Sequence, residues 1–196
     1  MQEENLSPQD SLRLIQSMID KAKNTVADDS FYFLLWGWLV FFASIIQYTL
    51  KVIIQTPYHY LAWLLMFVGV IASTIYGANQ NKKRKVQTYV EEMLNYLWLS
   101  IFISYIMLGF IFARVGWENC YPFYMMMYAI GTFVSGRALK FPPLVWGAIG
   151  SWILAIIATF TSYDMNMLLS SLAILFSYII PGYLLKNKYR QMQLHV

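Results

Sequence analysis

The chain has 196 residues, of which 59% are hydrophobic and only 12% charged, with a formal net charge of +4. A soluble domain carries about 25% charged residues because its surface faces water. This composition therefore excludes an ordinary soluble protein, and the single cysteine excludes an intramolecular disulfide.

Residues 1–29 read as a polar arm. Ser7-Pro8-Gln9-Asp10 has a capping residue, a proline for the first turn and an acid at the capping-box position. Leu12, Ile15, Ile19, Ala22 and Val26 then recur at helical spacing. The pattern predicts an amphipathic helix of about four turns. The arm holds three bases and six acids, whereas helices that lie on membranes carry many bases. Its apolar stripe is expected to pack on the rest of the chain, on a second copy or on a soluble partner. No apolar signal-peptide core precedes residue 30, so the first span is expected to direct its own insertion.

A helix needs about 20 apolar residues to cross a bilayer. Six apolar runs follow the arm, and the predicted spans are 31–50, 60–79, 93–113, 121–138, 141–163 and 165–185. They make one domain over 30–187, with a short tail at 188–196. The runs are continuous rather than alternating, which favours helices over a closed barrel. Short connections force neighbours to run antiparallel. The expected fold is therefore all-α and polytopic, six transmembrane helices arranged as three antiparallel hairpins. Pro57, Pro122, Pro142 and Pro143 lie at span starts, where a missing N–H costs little. Pro181 lies inside the sixth span and is expected to kink or loosen its last turn.

Twelve of the 14 bases fall on one side of this layout: three in the arm, Lys82, Lys83, Arg84 and Lys85 in the second loop, Arg137 and Lys140 in the fourth, and three in the tail. Only Lys51 and Arg114 fall on the other. The positive-inside rule then puts both termini in the cytoplasm. Helix dipoles favour cations at C-termini, but each side has three C-termini, so dipoles do not explain the imbalance. The quartet Lys82–Lys85 sits in a 13-residue loop between two spans, which argues against nucleic acid as its target. With Arg137 and Lys140 it forms a candidate contact for anionic headgroups, a partner or the acidic arm. Arg137 suits a phosphate or carboxylate, or serves as a snorkelling anchor.

The odd spans carry Trp36-Gly37, Trp98-Leu99 and Trp146-Gly147, and the even spans end in Gly77, Gly136 and Gly182 before a base. This is either a triplicated hairpin or the ordinary placement of interfacial tryptophans and cytoplasmic bases. Small residues recur every four positions at Gly69, Ser73 and Gly77, at Gly147, Ser151 and Ala155, and at Ala173 and Ser177. Such rows allow close helix packing, within one bundle or between copies.

No ionisable side chain lies near a span centre, which argues against a carboxylate proton relay or a voltage sensor. The span interiors offer hydroxyls and Gln47. Ser100, Ser104, Tyr105, Tyr128, Thr132 and Ser135 form either a polar seam or a set of hydroxyls bonded to their own helices. His59, Cys120 and Glu118 share one end of the layout, a thin ligand set from which no metal or cofactor is assigned. No nucleophile elbow, zinc-protease pair, P-loop or dinucleotide turn is present, and no catalytic residue is assigned.

The stretch S-P-Q-D-S-L-R-L-I followed by F-L-L-W-G-W resembles uncharacterised small bacterial six-span membrane proteins with an amphipathic N-terminal helix. The resemblance implies a multi-pass protein of the bacterial inner membrane and brings no activity. Two functions are expected. One is a regulatory or scaffolding protein that engages a cytoplasmic partner or a further copy. The other is a facilitative carrier of a small neutral or lipidic solute.

Overall fold

The computed structural model describes residues 29–83 and 89–194, and these form helices joined by short connections, with no strand among them. The arm residues Leu12, Ile15, Ile19, Ala22 and Val26 lie outside the described residues, as do Arg84 and Lys85. Helix α1 spans Asp29–Tyr48 and runs on through a π-helical turn, Thr49–Ile53. A 3-10 helix at His59–Leu64 leads into α2, Leu65–Lys83. Then come α3 (Tyr89–Val115), α4 (Cys120–Ala138) and α5 (Pro142–Ala158). Helix α6 (Tyr163–Ile174) continues through a π-helical turn, Leu175–Ile179, into α7 (Ile180–Leu194).

Four helical segments are long and apolar enough to cross a membrane: Ser30–Ile53, His59–Asn79, Tyr89–Val115 and Tyr163–Lys188. Large apolar side chains such as Phe67, Phe110, Ile153 and Ile156 are exposed on the outside of the bundle. A water-facing surface rarely tolerates so broad an apolar belt, and lipid requires one. Helix α5 is apolar but shorter. It ends at Ala158 instead of reaching residue 163, because Ser162 caps α6 by accepting from the Met165 N–H at 3.4 Å. A hydropathy run does not register such a cap.

The segment through α6 is central and α2 and α3 are peripheral. Of the apolar stretch in Tyr163–Lys188, 56% is buried, against 11% in each of the segments containing α2 and α3. Around α6 and α7 stand α1, α4 and α5. Met125, Leu144, Met167, Ile174 and Leu185 are fully buried between them.

Small residues set the helix spacing. A Cβ on Gly147 would come within 2.5 Å of the Phe176 carbonyl oxygen, so α5 meets the sixth segment backbone to backbone there. The Ser151 hydroxyl donates across that interface to the Ala173 carbonyl at 3.2 Å, and Ser177 donates to the same oxygen at 2.8 Å. On the other side, Gly69 receives the Trp36 ring and Leu39, and Gly77 lies beside the Tyr32 hydroxyl. These contacts place the rows of small residues in packing within one molecule.

Pro181 does not end its helix. The ring crowds the carbonyl four residues back and offers no N–H. The wide turn Leu175–Ile179 stands immediately before it, and Pro181 itself is fully buried in α7. The loosening therefore falls before the proline. The packing at Gly147 is open to a direct check. Gly147→Ala is expected to lower bundle stability by about 1–3 kcal/mol, the usual range for overpacking. Gly150→Ala, which meets nothing within 4 Å, should leave it unchanged. Unfolding in mixed detergent micelles measures both.

Candidate functional site

The connections between α1 and α2, α3 and α4, and α5 and α6 share one end of the bundle, and a polar cluster sits among them. Its centre is Gln47, only 2% exposed, in the last turn of α1. The amide oxygen accepts from the Trp63 indole N–H at 2.6 Å and from the Tyr121 hydroxyl at 2.5 Å. The amide nitrogen lies 3.1 Å from the Tyr163 hydroxyl and 3.3 Å from His59 Nδ1. An amide has two donors and two acceptor lone pairs, so Gln47 is fully partnered. One side chain thereby ties together α1, the 3-10 helix, α4 and α6.

An ion pair lies one turn further on. Lys51 bonds the Asp164 carboxylate, and its ammonium sits 4.8 Å from the centre of the Tyr163 ring. Asp164 occupies the first turn of α6, where a negative charge also suits the exposed N–H groups. Both side chains are partly open, at 32% and 45%, so the pair is screened and serves orientation more than stability. Nearby, Asn166 is 1% exposed and accepts from the Thr161 hydroxyl at 2.5 Å.

His59 and Cys120 both reach this end, but their surroundings differ. His59 faces Gln47, while Cys120 is buried at the start of α4, beside Tyr121. Among the described residues, no three His, Cys, Asp or Glu side chains converge as a metal site would require. The hydroxyls of α3 and α4 divide. Ser100, Ser104 and Thr132 donate to carbonyls of their own helices at 2.7–2.8 Å. Ser135 is buried in the bundle face of α4, and Tyr128 packs edge-on against Tyr178 at 6.0 Å.

The opposite end carries the bases. The turn between α4 and α5 closes with the Phe141 N–H on the Gly136 carbonyl at 2.9 Å and the Lys140 N–H on Arg137 at 3.2 Å. This is the usual left-handed close of a helix, in which the extra residue is most often glycine. Here that residue is Lys140, with φ +50°. Arg137 and Lys140 are exposed, and Lys188 reaches over the Phe141 ring at 5.5 Å. The structure thus gathers Arg137 and Lys140 with Lys188 of α7. Lys82 and Lys83 close α2.

Gln47 stands out in the sequence, but its cluster does not. A lone amide in an apolar span was the available signal, since lipid offers it no partner. Its partners are aromatic residues at the starts of three later helical elements, and no sequence spacing links them. Gln47→Leu would strand two donors and leave the shape intact. It is expected to cost about 1–3 kcal/mol, and Tyr121→Phe about 1 kcal/mol, as one lost hydrogen bond would. Detergent unfolding followed by tryptophan fluorescence reads both.

No protein-family model matches the chain, and comparison with curated proteins and with solved structures returns no match.

Proposed function

We propose that the chain is a bacterial inner-membrane protein that crosses the bilayer six times with both termini in the cytoplasm. In this reading it acts as a regulatory or scaffolding protein through its basic cytoplasmic end. The observation that carries the reading is the fixed turn that presents Arg137 and Lys140 beside Lys188. A folded turn that holds cations in place is preorganised for docking. The 12-to-2 bias of bases supports the orientation. The resemblance of the N-terminal stretch to small bacterial six-span proteins supports the location.

The packing of the centre favours this reading over a carrier. Met125, Leu144 and Met167 fill the space where a solute path would run. The interrupted sixth segment, with its π turn and Pro181, favours the carrier, since transporters build their sites on broken helices.

We also infer a repeat, although of two hairpins more than of three. Trp36 packs on Gly69 and Trp98 on Gly131, each 33 positions ahead. Leu39 and Ile101 meet the same two glycines, each 30 positions ahead. A shift of 62 residues also superposes Leu35 on Leu97 and Ser73 on Ser135. Trp146, at 71% exposed, has no such seat, so the third hairpin is the divergent member.

Two measurements test the reading. Reporter fusions at residues 53 and 163 should score as periplasmic, and cytoplasmic scores would reject the orientation. A photo-crosslinker at Ala138 in native membranes should capture one defined cytoplasmic protein or a second copy. Arg137→Glu with Lys140→Glu should cut that capture at least roughly thirtyfold, at about 1 kcal/mol for each base lost. Capture that ignores the reversal, together with solute flux through proteoliposomes, would favour the carrier.

A further inference from the structure

The hydrogen-bond chemistry around Gln47 determines the tautomer of neutral His59. Trp63 is the fixed point, because an indole N–H only donates. The Gln47 atom facing it must therefore be the amide oxygen, which also accepts from Tyr121. The amide NH2 is then turned toward Tyr163 and His59. A donor facing His59 Nδ1 at 3.3 Å requires that nitrogen to be an acceptor. Neutral His59 thus carries its proton on Nε2. A second proton would have to go onto Nδ1, where it would oppose the Gln47 N–H.

The charges around the ring are Lys51, from the turn that follows α1, and Asp164, from α6. Lys51 opposes a cation at His59 and Asp164 favours one, and the two are bonded to each other. Tyr60 of the same 3-10 helix stands edge-on to the ring at 6.1 Å. Tyr163 and Tyr121 complete the surroundings through Gln47. His59 is partly exposed at this end of the bundle, in the connection that also holds the Lys51–Asp164 pair nearby.

The 3-10 helix that carries His59 and Trp63 also forms a wall of an apolar groove. Leu61 lines that groove from the 3-10 helix, Ile46 and Leu50 from α1 and its π turn, and Val68 from α2. Ile46 is the chain neighbour of Gln47, so the clasp and the groove share both walls. We propose that His59 is a proton-operated latch. With the ring neutral, Gln47 holds the 3-10 helix against α1. When Nδ1 takes a proton, that hydrogen bond is lost and the His59 end of the 3-10 helix is released from α1, turning about Trp63, which still donates to Gln47, so that the groove wall at Leu61 moves.

Histidine is the side chain that titrates closest to neutrality, and the chain has only one other, His195. In full-length protein carrying His195→Gln and 15N-histidine, reconstituted in nanodiscs, every ring signal belongs to His59. The neutral ring should show an unprotonated Nδ1 and a protonated Nε2. The Trp63 indole N–H resonance, assigned by Trp63→Phe, should shift with the His59 titration and share its midpoint. In His59→Gln, whose carbonyl accepts but does not titrate, the Trp63 resonance should stay fixed over the same pH range. A neutral ring protonated at Nδ1 would overturn the proposal. So would a Trp63 signal that stays still through the titration, or one that moves equally in His59→Gln, which would assign the change to Asp164. The tautomer and the shared midpoint, both read in the His195→Gln protein, decide the matter even where His59→Gln fails to fold.

Discussion

A carboxamide buried in an apolar bundle has to find a partner for each of its four hydrogen-bonding sites, because lipid supplies none. Gln47 finds all four, and they come from the 3-10 helix, α4 and α6. The consequence reaches beyond one side chain. Apolar helices in lipid gain little from simply touching, since lipid tails are as apolar as leucine. Without a specific contact, α2, which is buried on one side only, would have little to fix its place against α1. The amide supplies direction at one end of that pair, and the seat of Trp36 on Gly69 supplies close contact along its length.

The sixth segment meets α5 backbone to backbone and also has an interrupted backbone of its own. These two facts are connected. Gly147 lets α5 come so near that the Phe176 carbonyl would touch any added methyl group. Polar backbone brought so close in lipid needs nearby donors, and Ser151 and Ser177 both deliver hydroxyls to the Ala173 carbonyl. The π turn then carries the chain past Pro181 with the ring buried. Small residues, hydroxyls and a widened turn together accommodate a proline that would break an isolated helix.

The helical class and the approximate helix positions were legible in the sequence because both follow from length and apolarity, which are local. The helix starts at Pro142 and Tyr163 lie within a few residues of the predicted places. The early end of α5 was not legible, since the Ser162 cap acts through one hydroxyl. Expecting small-residue rows to pack was sound for Gly69 and Gly147, yet their partners could not be named, because ridge fitting depends on the rotation of each helix. The exposed pair Arg137 and Lys140 could be marked from charge alone. Lys140 in a left-handed turn could not, because lysine carries no mark of that conformation. The polar cluster escaped for the deepest reason. Trp63, Tyr121 and Tyr163 each look like ordinary interfacial aromatics, and only the fold turns all three toward one amide.

The two ends of the molecule are chemically opposed. One is neutral in sum, with Lys51 paired to Asp164, Arg114 matched in number by Glu118, and its hydrogen bonds closed on Gln47. The other presents Arg137, Lys140 and Lys188 around one turn. The segment running from α6 through α7 belongs to both, since Tyr163 enters the cluster and Lys188 lies over Phe141. Like the end of α1, it has an interrupted ladder, but here the π turn stands beside a buried proline. Energetic coupling between distant sites needs an element with two arrangements, rather than a mere chain of contacts. A rigid α-helix has only one, whereas a π turn beside a buried proline can pass to an ordinary turn by moving a single residue's hydrogen bond. Any signal between the polar cluster and the basic turn would therefore act most easily on Leu175–Ile179, where the backbone departs from the regular helix.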